Sequence, residues 1–301
     1  MSKQLKKLLI FLSLLLAVVW CIQLAIDTAY KKRVSNKFTK VMKHQTDAEI
    51  MLFGSSIVYN HFNPKIISSI TGLDAYNMGF SGLFFVQYSG LIKEYLTYQK
   101  RCKVLVIGCD FDNLGKNEFM TRPDLFLPYA GNSNIYQSFY EIEPRKAFMS
   151  RYIPGFKLTL LNKAFYTRII LNQPAADTNS GYEAMSDNWE ATKKEPFNSR
   201  YEEHIFELLK ETILSITARG IKVVFVIPPV YSEGYKLILN AEMIKNKYRS
   251  LVGKNIWFLD YTTDTMCANR NYFHNFTHLN GQGAALFSHT FAQDLTKIIH
   301  E

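Results

Sequence analysis

Five short apolar runs constrain the architecture of this chain. They are Ile50–Phe53, Ala75–Met78, Val104–Ile107, Val223–Ile227 and Ile256–Leu259. The first two end at Gly54 and Gly79, and the fourth is followed by Pro228-Pro229. Runs of this length bounded by glycine or proline read as buried strands. Helical patterns lie between them. One starts at Asn63-Pro64, with Asn as cap and Pro in the first turn, and ends near Thr71-Gly72. Others cover Leu83–Tyr98, Tyr201–Ala218, about Leu239–Leu251 and about Gly281–Ile299, the last with Asn280 as its cap. Strands alternating with helices imply βαβ crossovers and a parallel sheet covered on both faces. The expected fold is therefore a three-layer, flavodoxin-like α/β domain with a five-stranded parallel sheet. Sites in such sheets form outside the carboxyl ends of the strands. Ser56, Gly79, Asp110 and Pro228 all follow strand ends and should share one edge.

The alternation breaks between about Asn113 and Ser199, a stretch rich in Asn, Pro and aromatic residues. It reads as an insertion of lid type, with a helix at Lys157–Leu171 and a polar run from Gln173 to Asn198. Its aromatics Phe126, Tyr129, Tyr136, Phe139 and Tyr140 suit either local core or stacking on sugar rings, with core the simpler reading.

Ahead of the domain lies Leu8–Ile26, an uncharged apolar run whose one strongly polar residue is Gln23. About twenty apolar residues span a bilayer as a helix. A cleaved signal peptide is the rival, but the run is long for one and no small-x-small site follows it. Cys21 would suggest lipid modification, yet Trp20 before it is a poor processing site. The expected organisation is an anchor in residues 1–30, a basic juxtamembrane segment in 31–47, and the α/β domain in 48–301 with its insertion at about 113–200.

The charge distribution agrees with a membrane partner. The 301-residue chain carries +9, and residues 1–43 hold nine basic residues against the single acid Asp27. The remainder is therefore close to neutral, which argues against nucleic-acid binding. The basic residues face lipid headgroups on either side of the span. Because they flank both ends, they assign no orientation. The four cysteines, Cys21, Cys102, Cys109 and Cys267, show neither paired metal spacing nor a disulfide framework. No cofactor or metal is expected. His274 and His278 are four apart, but nothing completes a ligand set.

Two constellations carry chemistry. Gly54-Ser55-Ser56 follows the first strand, where a serine is exposed at a tight turn. His278 precedes the last helix and reaches the same edge, and a neutral histidine is the usual base for a serine nucleophile. Together, in this order, they resemble the SGNH hydrolases, also called GDSL esterases, over roughly Glu49 to Ile299. The membrane-anchored branch associated with O-acylation of cell-surface polysaccharides is the most similar. Met51-Leu52-Phe53-Gly54-Ser55-Ser56 resembles the family's first block, with Ser56 as nucleophile and Ser55 where the family name has Asp. Asn77-Met78-Gly79-Phe80-Ser81-Gly82 resembles the second, which implies Gly79 as an oxyanion-hole donor. Val226-Ile227-Pro228-Pro229 is similar to the branch's fourth-strand ending, and Asn275-Phe276-Thr277-His278-Leu279-Asn280 to the final block.

Two departures stand out. Gly108-Cys109-Asp110-Phe111 aligns with the third block, Gly-x-Asn-Asp, and so puts Asp110 where an asparagine donor is expected. Asn113 is a candidate substitute. Asn275 occupies the place of the triad aspartate. It can orient His278, as in Cys-His-Asn enzymes, but cannot stabilise an imidazolium by charge. In a serine protease the same change costs about 10⁴ in turnover, through the wrong tautomer. Asp264 is a candidate for a replacement acid. The resemblance implies serine-dependent acyl transfer or ester hydrolysis on a polysaccharide or acyl ester outside the cytoplasm. It also implies residence in the cytoplasmic (inner) membrane and a multi-pass membrane acyltransferase as feeding partner. The departures keep open a second reading, a non-catalytic accessory or carbohydrate-binding subunit.

Overall fold

The computed structural model describes residues 1–115, 117–171, 179–190 and 195–301. Helix α1 runs Lys3–Arg33, well past the apolar run, and α2 follows at Lys37–Met42 behind an Asn36/Thr39 capping box. The stretch expected to be a polar juxtamembrane segment is therefore part of the domain: Phe38 and Val41 of α2 are fully buried. Next come β1 (Ile50–Gly54), α3 (Ser56–His61), α4 (Pro64–Thr71), β2 (Ala75–Gly79), α5 (Phe85–Tyr95) and β3 (Val104–Gly108). Asn63 caps α4 as expected, its side chain accepting from Lys65 N–H.

The insertion is more helical than its composition suggests. It holds α6 (Pro123–Phe126), α7 (Ser133–Tyr140), α8 (Pro144–Tyr152) and α9 (Lys163–Ile170). The single helix expected at Lys157–Leu171 is split. A 3₁₀ turn covers Phe156–Leu160, and Asn162 restarts the chain as cap of α9. Phe126, Tyr129 and Phe139 are core, while Tyr140 is exposed. The polar run from Gln173 to Asn198 lies partly outside the described residues. The chain then forms α10 (Glu203–Thr217), β4 (Lys222–Ile227), α11 (Ser232–Tyr235), α12 (Ala241–Arg249), β5 (Ile256–Asp260) and α13 (Gly281–His300).

All strand pairings are parallel, in the order β2-β1-β3-β4-β5, which is the flavodoxin-like order. Side chains alternate across the sheet. Met51 and Phe53 of β1 join one core with α2, α5, α10 and the insertion. Ile50 and Leu52 join the other, with α3, α4 and α13. The order reverses between β1 and β3, so the crevice of the switch point opens at the carboxyl ends of those two strands.

The helix α3 fixes what stands in that crevice. β2, β1 and β3 end at Gly79, Gly54 and Gly108, and the side chain of Val58 lies over all three. A Cβ at Gly79 would fall 2.8 Å from the Val58 Cβ and would overlap the backbone nitrogen of Tyr59. These glycines are required for close approach, because α3 crosses the strand ends in van der Waals contact.

Gly79→Ala should therefore destabilise the domain by about 1–3 kcal/mol through overpacking. Gly131→Ala, where nothing lies within 4 Å of an added Cβ, should be close to neutral. Denaturant unfolding of the full chain in detergent, followed by tryptophan fluorescence, checks the contrast.

Candidate active site

Strand β1 delivers the chain to the crevice, and Ser55 turns it into α3. The Ser55 hydroxyl accepts from Ile57 N–H at 3.3 Å as cap and donates to Asp110 Oδ2 at 2.6 Å. Asn77, fully buried on β2, donates from its amide to Val58 O at 2.7 Å and Phe62 O at 2.9 Å. It thereby ties the middle and the C-terminal end of α3 to the sheet. Ser56 is the first residue of α3 and lines the cleft.

His278 arrives from the other side of the molecule. A bridge between Phe273 and Leu279 closes its loop, and Asn280 caps α13 by accepting from Gly283 N–H. The imidazole Nε2 stands 2.9 Å from Ser56 Oγ. Its Nδ1 stands 3.2 Å from Asn275 Oδ1 and 3.1 Å from Thr277 Oγ1.

The orientation of the Asn275 amide decides the tautomer. Backbone N–H groups of Thr277 and His278 both donate to Asn275 Oδ1, each at 3.0 Å. Only a carbonyl oxygen can accept them, so the oxygen, not the amino group, faces the imidazole. Nδ1 then carries the proton and Nε2 is free to accept from the Ser56 hydroxyl. The asparagine supplies the tautomer a general base needs, although it supplies no charge.

Beneath His278 lies His61, fully buried, its ring perpendicular at 5.7 Å between centroids. Its Nε2 accepts from Leu279 N–H at 3.0 Å, which holds the backbone beside His278. Burial, with the neighbouring His278 adding to it, holds His61 well below the usual histidine range, so it stays neutral.

Asp110, at the end of β3, lines the cleft across the switch point from Ser56. Burial pushes its carboxyl up to about 6, against the hydrogen bond from Ser55. The Asp112 N–H also donates to it, at 3.1 Å to Oδ1. The cleft encloses about 260 Å³. Its walls are mostly apolar, with Leu83, Phe84, Phe111, Val230 and Ile238 lining it together with Ser56 and His278.

Three sequence expectations need correction. Gly79 does not line the cleft, and its N–H is taken by Asn77 Oδ1 at 2.9 Å. The glycine that lines it is Gly82, at φ 77° in the loop after β2. Asn113 points into the interior, donating to Tyr88 Oη at 2.6 Å and Gly108 O at 2.9 Å. Asp264 caps a 3₁₀ turn by accepting from Met266 N–H and stands outside the cleft. The legible signal for Gly82 was its place in the same loop as Gly79. His61 and Asn77 carried no such signal. Their work depends on partners distant in sequence. His274 bonds Ser186 and Glu190 instead of sharing a ligand set with His278. Among the described residues no group of three or more His, Cys, Asp or Glu is placed to hold a metal ion.

No protein-family model and no curated protein matches the chain. A solved structure from Streptococcus pneumonia, described provisionally as a platelet activating factor, aligns with 96% of this chain and 99% of its own. The identity is 14% and the TM-score 0.46. The fold and site define an open, doubly wound α/β domain with a Ser–His–Asn chain of hydrogen bonds at its switch point and a long apolar helix at its N-terminus.

Two measurements follow from the electrostatics. Asp110 holds its proton more tightly folded than unfolded, so its contribution is favourable at low pH and is lost as pH rises through about 6. Asp110→Asn removes the poorly solvated charge. Its stability relative to the parent should be about 2–3 kcal/mol greater at pH 8 than at pH 4, by denaturant unfolding. Asn275→Asp should make the His278 imidazolium harder to deprotonate, because an adjacent carboxylate favours the charged ring. Imidazole NMR titration reads this directly.

Proposed function

We propose that the protein is a membrane-anchored serine acyltransferase or esterase of SGNH type, acting on an acyl ester at an extracytoplasmic polysaccharide. The observation that carries the reading is the 2.9 Å contact between Ser56 Oγ and His278 Nε2, with Asn275 Oδ1 fixing the reactive tautomer behind it. Ser56 attacks the ester carbonyl while Nε2 takes its proton. The tetrahedral oxyanion is received by backbone N–H groups of Ser56, at the start of α3 where no helical partner exists, and of Gly82. Collapse expels the alcohol, protonated by His278, and leaves an acyl-serine. Water or a sugar hydroxyl then takes the acyl group by the reverse sequence. The apolar wall of Leu83, Phe84, Phe111, Val230 and Ile238 suits the acyl part of the ester.

The extracytoplasmic side, the cytoplasmic (inner) membrane and a multi-pass acyltransferase partner follow from the resemblance to the polysaccharide-acylating branch. Lipid contact follows from α1, which is long and apolar enough to cross a bilayer. One observation favours a second reading, a catalytically weak accessory subunit. The Asp110 carboxyl lines the cleft opposite the nucleophile, and when ionised it repels a developing oxyanion.

The test uses the full chain in detergent. A fluorophosphonate probe should label Ser56, and Ser56→Ala should abolish labelling and lower ester turnover by about 10³-fold or more. A folded protein that is never labelled, or a Ser56→Ala chain with undiminished polysaccharide acylation, would overturn the enzyme reading in favour of the accessory one.

A further inference from the structure

The helix α1 does not leave the domain as a free rod. Gln23, Asp27 and Tyr30 recur on one of its faces and are buried against the insertion. Gln23 Oε1 accepts from Gly155 N–H at 2.8 Å, and Lys157 Nζ pairs with Asp27 Oδ2 at 2.5 Å. Tyr30 stacks on Phe165 with ring centroids 5.0 Å apart. Gly155 itself lies against Val19, so closely that a Cβ there would overlap the valine side chain.

These contacts set a depth. A hydrocarbon core of about 30 Å takes roughly twenty helical residues at about 1.5 Å each. Starting at Leu8, directly after Lys6 and Lys7, the span ends at Asp27. Gln23 and Val19 then lie about 6 and 12 Å inside that boundary. The loop at Gly155 meets α1 at that level, so the loop and the end of α8 feeding it must enter the lipid.

The chemistry of α8 agrees. Ala147 and Ser150 face the domain, while Phe148, Met149, Tyr152 and Ile153 are exposed at 52, 37, 56 and 44%. Phe148 and Tyr152 sit one turn apart with rings 4.8 Å between centroids. Arg145 and Arg151 flank this face; Lys146 pairs with Glu143 at the start of α8, and Lys157 is already taken by Asp27. Aromatic and aliphatic side chains edged by basic ones are the composition of an interfacial helix.

We propose that the exposed face of α8 and the Ile153–Phe156 loop form a second membrane contact, seated in the headgroup and upper acyl region beside α1. The occupant of this face is the lipid bilayer. The two attachments together fix the tilt and height of the cleft above the membrane. The proposal rests on α1 spanning the bilayer, independently of what the Ser56 site does.

The test places a single NBD-labelled cysteine in the full chain, in a Cys21→Ser background, at Phe148→Cys, Tyr152→Cys, Leu14→Cys or Leu214→Cys. Cys102, Cys109 and Cys267 are buried and do not compete for label. The chain is reconstituted into phosphatidylcholine–phosphatidylglycerol vesicles whose acyl chains carry bromine near the carbonyl end. Labels at 148 and 152 should lose roughly half or more of their fluorescence, as at that depth, while Leu214→Cys on α10 stays bright and open to aqueous iodide. Quenching at position 14 with positions 148 and 152 behaving like 214 overturns the proposal. Labels at 148 and 152 shielded from both bromine and iodide mean a second protein copy covers the face, and overturn it too. An unquenched Leu14→Cys label removes the spanning helix itself and the proposal with it.

Discussion

The seat of Val58 on three glycines is the contact on which the site depends. An apolar side chain of that size contributes about 1.5–3 kcal/mol when fully buried, and Val58 is fully buried. The larger effect is geometric. Because Gly54, Gly79 and Gly108 carry no Cβ, α3 descends onto the ends of β1, β2 and β3. Its first residue is then held at the mouth of the switch-point crevice. Asn77 pins the helix from below through two carbonyl oxygens, so Ser56 is positioned by packing and by buried hydrogen bonds. A hydroxyl held this way has little freedom left to lose, which is what orientation effects require of the nucleophile proposed above.

The same constraint explains the work divided between the two families of polar residues around the cleft. Ser55 cannot be a nucleophile, since its hydroxyl is committed to Asp110 and to the cap of α3. Asn275 serves as orienter only because two backbone N–H groups dictate which end of its amide faces His278. The usual loss on replacing a triad aspartate by asparagine combines a wrong tautomer with a missing charge. Here the first part is cancelled by local backbone geometry and the second remains. His61, neutral and buried, adds no charge beside the imidazole and instead props the loop that carries it.

Much of this was legible in the sequence, and the reasons are specific. All five strands were readable as short apolar runs, four of them ended by glycine or proline, and the alternation with helices permitted only a parallel sheet. Ser56 and His278 were readable because strand order puts the ends of β1 and the last loop on one edge. The assignment of Gly79 went wrong because a glycine at a strand end has two possible causes, a free N–H or a close neighbour. Only the position of α3 distinguishes them. The insertion was underestimated for a related reason. Helices such as α7 owe their stability to docking on α5, where Asn132 and Asn134 both donate to Glu94, and not to local periodicity.

The junction of α1 and the domain shows how polar residues in and beside an apolar run acquire meaning only from the fold. Read alone, Gln23 and Asp27 weaken a membrane segment, since a polar group in hydrocarbon is costly unless it is hydrogen-bonded. Each finds its partner about 130 residues later, on the turn between α8 and α9. A buried ion pair of this kind is weak support for stability, because desolvation offsets most of the attraction. It is strong support for register. Sliding α1 by one turn would leave Asp27 and Lys157 buried without each other, a loss of about 3–5 kcal/mol. The pair therefore selects one height of the helix against the domain. A domain docked at one height holds its cleft at a fixed distance along α1 from the apolar run, which a flexible tether would not do.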